Sequence, residues 1–182
     1  MKRAFKGFVV TTPGTPQPLV GTTLAQAIIA GTNNVNVQVA DSSMFVKGDW
    51  SLLIDANGAN RERVMVASIP DGTHVVLQGE NNKVLAFNRA IGAFLQLSGA
   101  CSSVIVQGGV ANAAGLYIGA RQTIVKATLA GVIYRLIQTA AGIQPPAYVD
   151  GSSTSSNSDD MANWWIDADN NTDIYLPSFG II

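Results

Sequence analysis

The stretch "VKGDWSLLIDANGANRERVMVASIPDGTHVVLQ", Val46 to Gln78, decides the fold class. Apolar and polar residues alternate in "WSLLI", "RVMVAS" and "HVVLQ", and Gly-Asp, Asn-Gly and Asp-Gly punctuate them. A period of two sends successive side chains to opposite faces of a strand, and Asn-Gly and Asp-Gly suit the positive φ of tight hairpin turns. The stretch therefore predicts short antiparallel strands. Outward from it the habit continues. "NVNVQVA" alternates Val35, Val37 and Val39, and "AFLQLS" and "SVIVQG" follow. In the second half "GLYIG", "QTIVKATL", "GVIYRLIQ", "AYV", "NWWIDA" and "DIYLPSF" read the same way. Many short strands between turn residues predict an all-β chain, built as β-sandwich or small β-barrel units.

One short N-terminal helix is expected in "TTLAQAIIAG", with Thr22 or Thr23 as cap, Leu24, Ile28 and Ile29 on one face, and Gly31 as the stop. "TIVKATLAGVIYRLI" contains good helix formers, but Gly131 and the β-branched Ile124, Val125, Val132 and Ile133 favour a hairpin. Residues 1–20 are basic, then rich in Pro, Thr and Gly, with Pro13, Pro16 and Pro18 set against a regular ladder. They predict an extended N-terminal arm that gains order on binding. "LSGACSS" marks a boundary between a first β unit at 21–98 and a second at 99–182, unless the two form one continuous domain. "VDGSSTSSNSDDM" is polar and reads as an exposed loop.

Composition excludes several classes of function. The 182 residues suffice for a real core, burying roughly 70% of the unfolded surface. Hydrophobic residues make up 47% and charged residues only 13%, and 11 basic against 12 acidic side chains leave a net charge of −1. Such a surface does not steer nucleic acid or an anionic membrane, so neither is expected as a partner. It also has little self-repulsion to keep copies apart, which favours a homo-oligomer, a trimer by preference. The sole cysteine, Cys101, excludes an internal disulfide and reads as a small buried hydrophobe. The start is too short of apolar residues for a signal peptide, and Lys126 and Arg135 interrupt the longest apolar run, against a spanning helix. Synthesis in the cytoplasm is expected, with the chain soluble until it meets its partners.

Catalytic constellations are hard to assemble from these residues, and the chain is expected not to be an enzyme and to carry no cofactor. His74 is the only histidine and stands at a strand start, as a turn-side polar residue would. Ser102 and Ser103 lack a G-x-S-x-G elbow, and the glycine-rich stretches lack phosphate-loop spacing. "DADNNTD" places Asp167, Asp169, Asn171 and Asp173 at the alternate positions of a calcium loop. Thr172 and Ser178 stand where that loop needs Gly and a closing Glu, so no metal site is assigned and a solvated turn is expected. The interaction candidates are aromatic. Trp164 and Trp165, beside Tyr175 and Phe179, are expected on a strand with one indole inside and the other at a subunit contact, in preference to a sugar-binding platform. Lys2, Arg3 and Lys6, interleaved with Phe5 and Phe8, suit an arm lying on a neighbouring protein.

"VADSSMFVKGDWSLLID", "RERVMVASI", "DGTHVVLQ" and "NRAIGAFLQLS" together resemble a hairpin module of structural proteins in tailed bacteriophages, over about residues 35–98. "GGVANAAGLYIGARQTIVKATLAGVIYRLIQTAAGIQPPAYV" is similar to small β proteins on phage heads and gene-transfer particles, except that apolar residues replace the usual charged or Gly-rich turn in "ARQTIVKATLAGVIYRLI". The resemblance implies a virion protein of the auxiliary capsid, cement or decoration type, bound to the major capsid protein or other virion proteins. Alternatives are a tail, head-tail adaptor or head-spike base protein, or a lectin-like host-binding module.

Overall fold

Strands carry nearly all the regular structure of this computed structural model, which describes residues 2–5, 8–9, 14–109, 112, 115–120, 124–137, 147–151, 159–170 and 173–181. By contacts the chain divides into one unit of residues 20–99 and another of residues 1–19 with 100–182.

In the first unit, β4 (Gly21–Thr23), β5 (Val35–Gln38), β6 (Trp50–Ile54), β7 (Glu62–Asp71), β8 (His74–Gly79) and β9 (Phe94–Leu97) form one antiparallel sheet in the order β4-β9-β6-β7-β8-β5. The sheet curls until its edges meet at one end. Leu24 bridges Val39 there, and Ala40 donates its N–H to the Thr23 carbonyl at 2.9 Å. The period-two pattern explains the core, because Val37, Leu53, Val64, Val66, Val75, Leu77 and Leu95 all point inward and are buried. Pro70, which has no N–H for a ladder, lies in β7 where the register with β8 shifts between Ser68 and Asp71.

The helix expected over Thr22–Gly31 does not form. Thr22 and Thr23 belong to β4, and Leu24 and Ile28 make separate bridges to Val39 and Arg89. Leu24 and Ile28 are buried while Ile29 is 71% exposed, so the three do not share one buried face. Backbone partners in 89–93 decide the matter, since Leu24 and Ile28 donate to the carbonyls of Ala93 and Arg89 at 2.8 and 2.9 Å. Helix propensity is too weak to compete with such a ladder.

The second unit holds two antiparallel sheets. In one, β10 (Ala100–Gly108) lies between β16 (Ile174–Ile181) and β13 (Ala147–Gly151), and also pairs with β14 (Asp159–Asp160). In the other the order is β12 (Val132–Ile137), β11 (Gly115–Ala120), β15 (Trp164–Ala168), β3 (Gln17–Pro18). The N-terminal segment is extended but not a free arm. β1 (Lys2–Ala4) and β2 (Phe8–Val9) both pair with β16, with Lys2 opposite Gly180 and Phe8 opposite Tyr175. Pro16 leaves room for this because it lies outside the ladders, and Pro18 sits on an edge strand. At "TIVKATLAGVIYRLI" the expected pair of strands is not what forms: residues 126–129 make a turn closed by a single Val125–Ala130 bridge, and β12, which follows it, pairs with β11 instead. The centre of the polar stretch "VDGSSTSSNSDDM" lies outside the described residues.

Candidate functional site

All five residues of β15 are buried, because the strand runs inside its sheet between β11 and β3 and both of its faces are covered. Trp164 and Trp165 are only 4% and 0% exposed, so neither indole reaches the surface and the subunit-contact reading is corrected. Tyr175 and Phe179 are buried too. The Tyr175 hydroxyl donates to the Pro18 carbonyl at 3.3 Å and accepts from Gln17 Nε2 at 3.0 Å. Burial pushes this phenol far above its usual range. Phe179 meets the half-buried Phe5 edge to face at 6.2 Å between centroids, so these aromatics build the core. Lys2, Arg3 and Phe8 lie on strands paired with β16, and Lys6 lies outside the described residues.

The calcium-like spacing of "DADNNTD" serves a different arrangement. Asp167, opposite Tyr117 on β11, is 1% exposed, and its Oδ1 accepts the N–H groups of Gly14 at 2.9 Å and Ala168 at 2.7 Å. Asp169 Oδ2 accepts the Gly115 N–H at 3.0 Å and the Tyr117 hydroxyl at 3.2 Å. Asp173 is buried and accepts the Asn170 N–H at 3.3 Å. Among the described residues, no three ligating side chains converge as a metal would require. The cation beside these carboxylates is Lys126. Its Nζ donates to the Ala168 carbonyl and lies 3.8 Å from Asp167 Oδ1 and 3.6 Å from Asp169 Oδ1. Lys126 and the Arg135 guanidinium both approach the Tyr117 ring, at 5.8 and 5.1 Å. Burial, then the Asp169 charge, raises the Tyr117 hydroxyl above its ordinary pKa.

Glycine brings Lys126 there. A Cβ at Gly119 would strike the Gly131 carbonyl oxygen and come within 2.6 Å of Ile124 Cγ1, so only glycine lets the turn cross β11 so closely. Folded over in this way, the turn leaves Val125, Leu129, Ile133 and Ile137 about half exposed, on and beside the edge strand β12. Sequence reasoning used Lys126 and Arg135 only as breaks in an apolar run. Those breaks were the available signal, since a cation amid apolar residues requires a partner.

The 20–99 unit has its own buried charge. The Arg89 side chain is fully buried, 2.8 Å from Asp55 Oδ1 and 3.2 Å from Glu62 Oε2, and it also donates to the Asn60 carbonyl. Hydrogen bonding to Arg89 is the main cause holding the Asp55 carboxyl below its usual range. Glu62 Oε1 accepts the Ala86 N–H at 2.6 Å, so the cluster ties the 84–91 segment to the β6–β7 hairpin. Outside it stand Ile29, Val84, Phe87 and Ile91, all exposed. His74 caps the β7–β8 turn, its Nδ1 2.9 Å from the Asp71 carboxylate. The Thr73 N–H, then His74, hold that carboxyl down at about 2.

No family model matches the chain, and no curated protein or solved structure matches it. No helix among the described residues is long and apolar enough to cross a membrane.

Proposed function

We propose that this chain is a structural subunit of a virus particle, acting through contact area and not through turnover of a substrate. The observation that carries the reading is the turn leading into β12, where half-exposed Val125, Leu129, Ile133 and Ile137 lie at a sheet edge. An edge strand with apolar side chains is a liability unless another surface covers it. The exposed Ile29, Val84, Phe87 and Ile91 offer a second such surface, and the low charge leaves little to oppose association. The resemblance of residues 35–98 to phage hairpin modules suggests the particle. A cement or decoration protein, oligomeric and seated on the major capsid protein, is the most specific form of this reading.

Sedimentation tests it. The purified chain is expected to self-associate at tens of micromolar, roughly the range in which interfaces near −6 kcal/mol fill. Replacing Ile133 and Ile137 by Lys should give a monomer with unchanged far-UV circular dichroism. A parent chain that stays monomeric at that concentration, and that fails to bind purified particles, refutes the proposal.

A further inference from the structure

Lys126 and Asp167 meet under conditions that favour a covalent outcome. The Asp167 carboxylate is 99% buried in the wall of the sheet, and the Lys126 Nζ lies 3.8 Å from its Oδ1. Two backbone N–H groups, from Gly14 and Ala168, converge on that same oxygen at 2.9 and 2.7 Å. A second carboxylate, Asp169, stands 3.6 Å from the amine. These are the parts of an acyl-transfer site: a nucleophile, a carboxyl carbon, a pair of donors on its oxygen, and a group to relay protons.

We propose that the folded chain joins Lys126 to Asp167 by an intramolecular isopeptide bond, with Asp169 as the proton relay. Asp169 takes a proton from the ammonium and passes it to Oδ2 of Asp167. The neutral amine then attacks Cγ, a C–N bond forms, and the charge that develops on Oδ1 is held by the N–H groups of Gly14 and Ala168. Asp169 removes a second proton from the nitrogen and delivers it to the hydroxyl, the C–Oδ2 bond breaks, and water leaves. The ammonium has lost two protons and the carboxylate one oxygen, so an amide and one water balance the step without oxidant or co-reactant.

Two effects drive the reaction. Burial penalises an ion pair, and condensation replaces the pair by a neutral amide. Fixed placement raises the effective concentration of the amine, in well-oriented cases to about 10⁵–10⁸ M. The bond would fasten the Gly119-crossing turn to β15 whether or not the chain assembles.

The test is the intact mass of the full-length chain, unfolded before measurement. The expected mass is lower than that of the sequence by one water, and digestion should yield one branched peptide joining the Lys126 and Asp167 segments. Lys126→Arg should restore the full mass. Asp169→Asn, with an unchanged circular dichroism spectrum, should slow bond formation by about a hundredfold, as loss of a positioned proton relay does. A parent chain that keeps its full mass after prolonged incubation, with Lys126 open to an amine-acylating reagent once unfolded, overturns the proposal. So does a water loss that maps to an Asp-Gly pair and at which hydroxylamine cleaves the chain, because that is a succinimide. Equal rates in the parent and Asp169→Asn overturn the role given to Asp169.

Discussion

Replacing Arg89 by Met should cost the 20–99 unit about 3 kcal/mol, near the low end of the penalty for breaking a buried ion pair. The Arg89 side chain is fully buried, whereas Asp55 is 23% and Glu62 12% exposed. Removing the guanidinium leaves two carboxylates that regain water only in part, and takes a donor from the Asn60 carbonyl. Met fills much of the volume, so the loss is electrostatic and not a cavity. In a unit of this size roughly 3 kcal/mol lowers Tm by about 12–24 °C. Trp50 reports on this unit, since its ring carries the Arg63 guanidinium at 4.5 Å and Trp164 and Trp165 belong to the other unit. The sign of the pH dependence provides a control. Asp55 is depressed, chiefly by its bond to Arg89, so its contribution is present above the ordinary carboxylate pKa and lost as pH falls through the lower folded value. In Arg89→Met that contribution is gone, and mild acid should stabilise the variant relative to neutral pH by neutralising the stranded carboxylates. Urea titrations followed at Trp50 over pH 4–7 measure both effects. A loss under about 1 kcal/mol, or a variant that weakens in acid as the parent does, refutes the view that this cluster holds the unit together.

Gly119→Ala should destabilise the unit formed by residues 1–19 and 100–182 by about 1–3 kcal/mol, because the new methyl meets the Gly131 carbonyl and Ile124 and the turn must lift. Thermal unfolding measures it, and a neutral result would mean that the turn does not cross β11 closely. Tyr175 stays protonated well above the ordinary phenol range, so its burial stabilises the fold below about pH 10 and that contribution is lost as pH rises through the folded value. Ultraviolet titration of the phenols should therefore show one that ionises only with alkaline unfolding, and Tyr175→Phe should remove that class.

The all-β class and many strand positions were legible in the sequence, because a period of two and Asn-Gly or Asp-Gly turns are local properties. Val64, Val66, Val75 and Leu77 alternate in the chain as they alternate in the core. The turn role of His74 was legible too, since Asp71 and Thr73 are its neighbours. Where partners are distant the sequence was silent. Leu24 and Ile28 have helical spacing, yet carbonyls of Ala93 and Arg89, far along the chain, drew them into bridges. Trp164 and Trp165 alternate as strand residues should, but whether a strand's second face meets water depends on what folds over it. Arg89, Asp55 and Asp167 look in the sequence like ordinary surface charges, and the apolar run around Lys126 signals that it needs a partner without saying which. Only the tertiary structure pairs them in the interior, because the Coulomb attraction that offsets burial depends on distance in space and not along the chain.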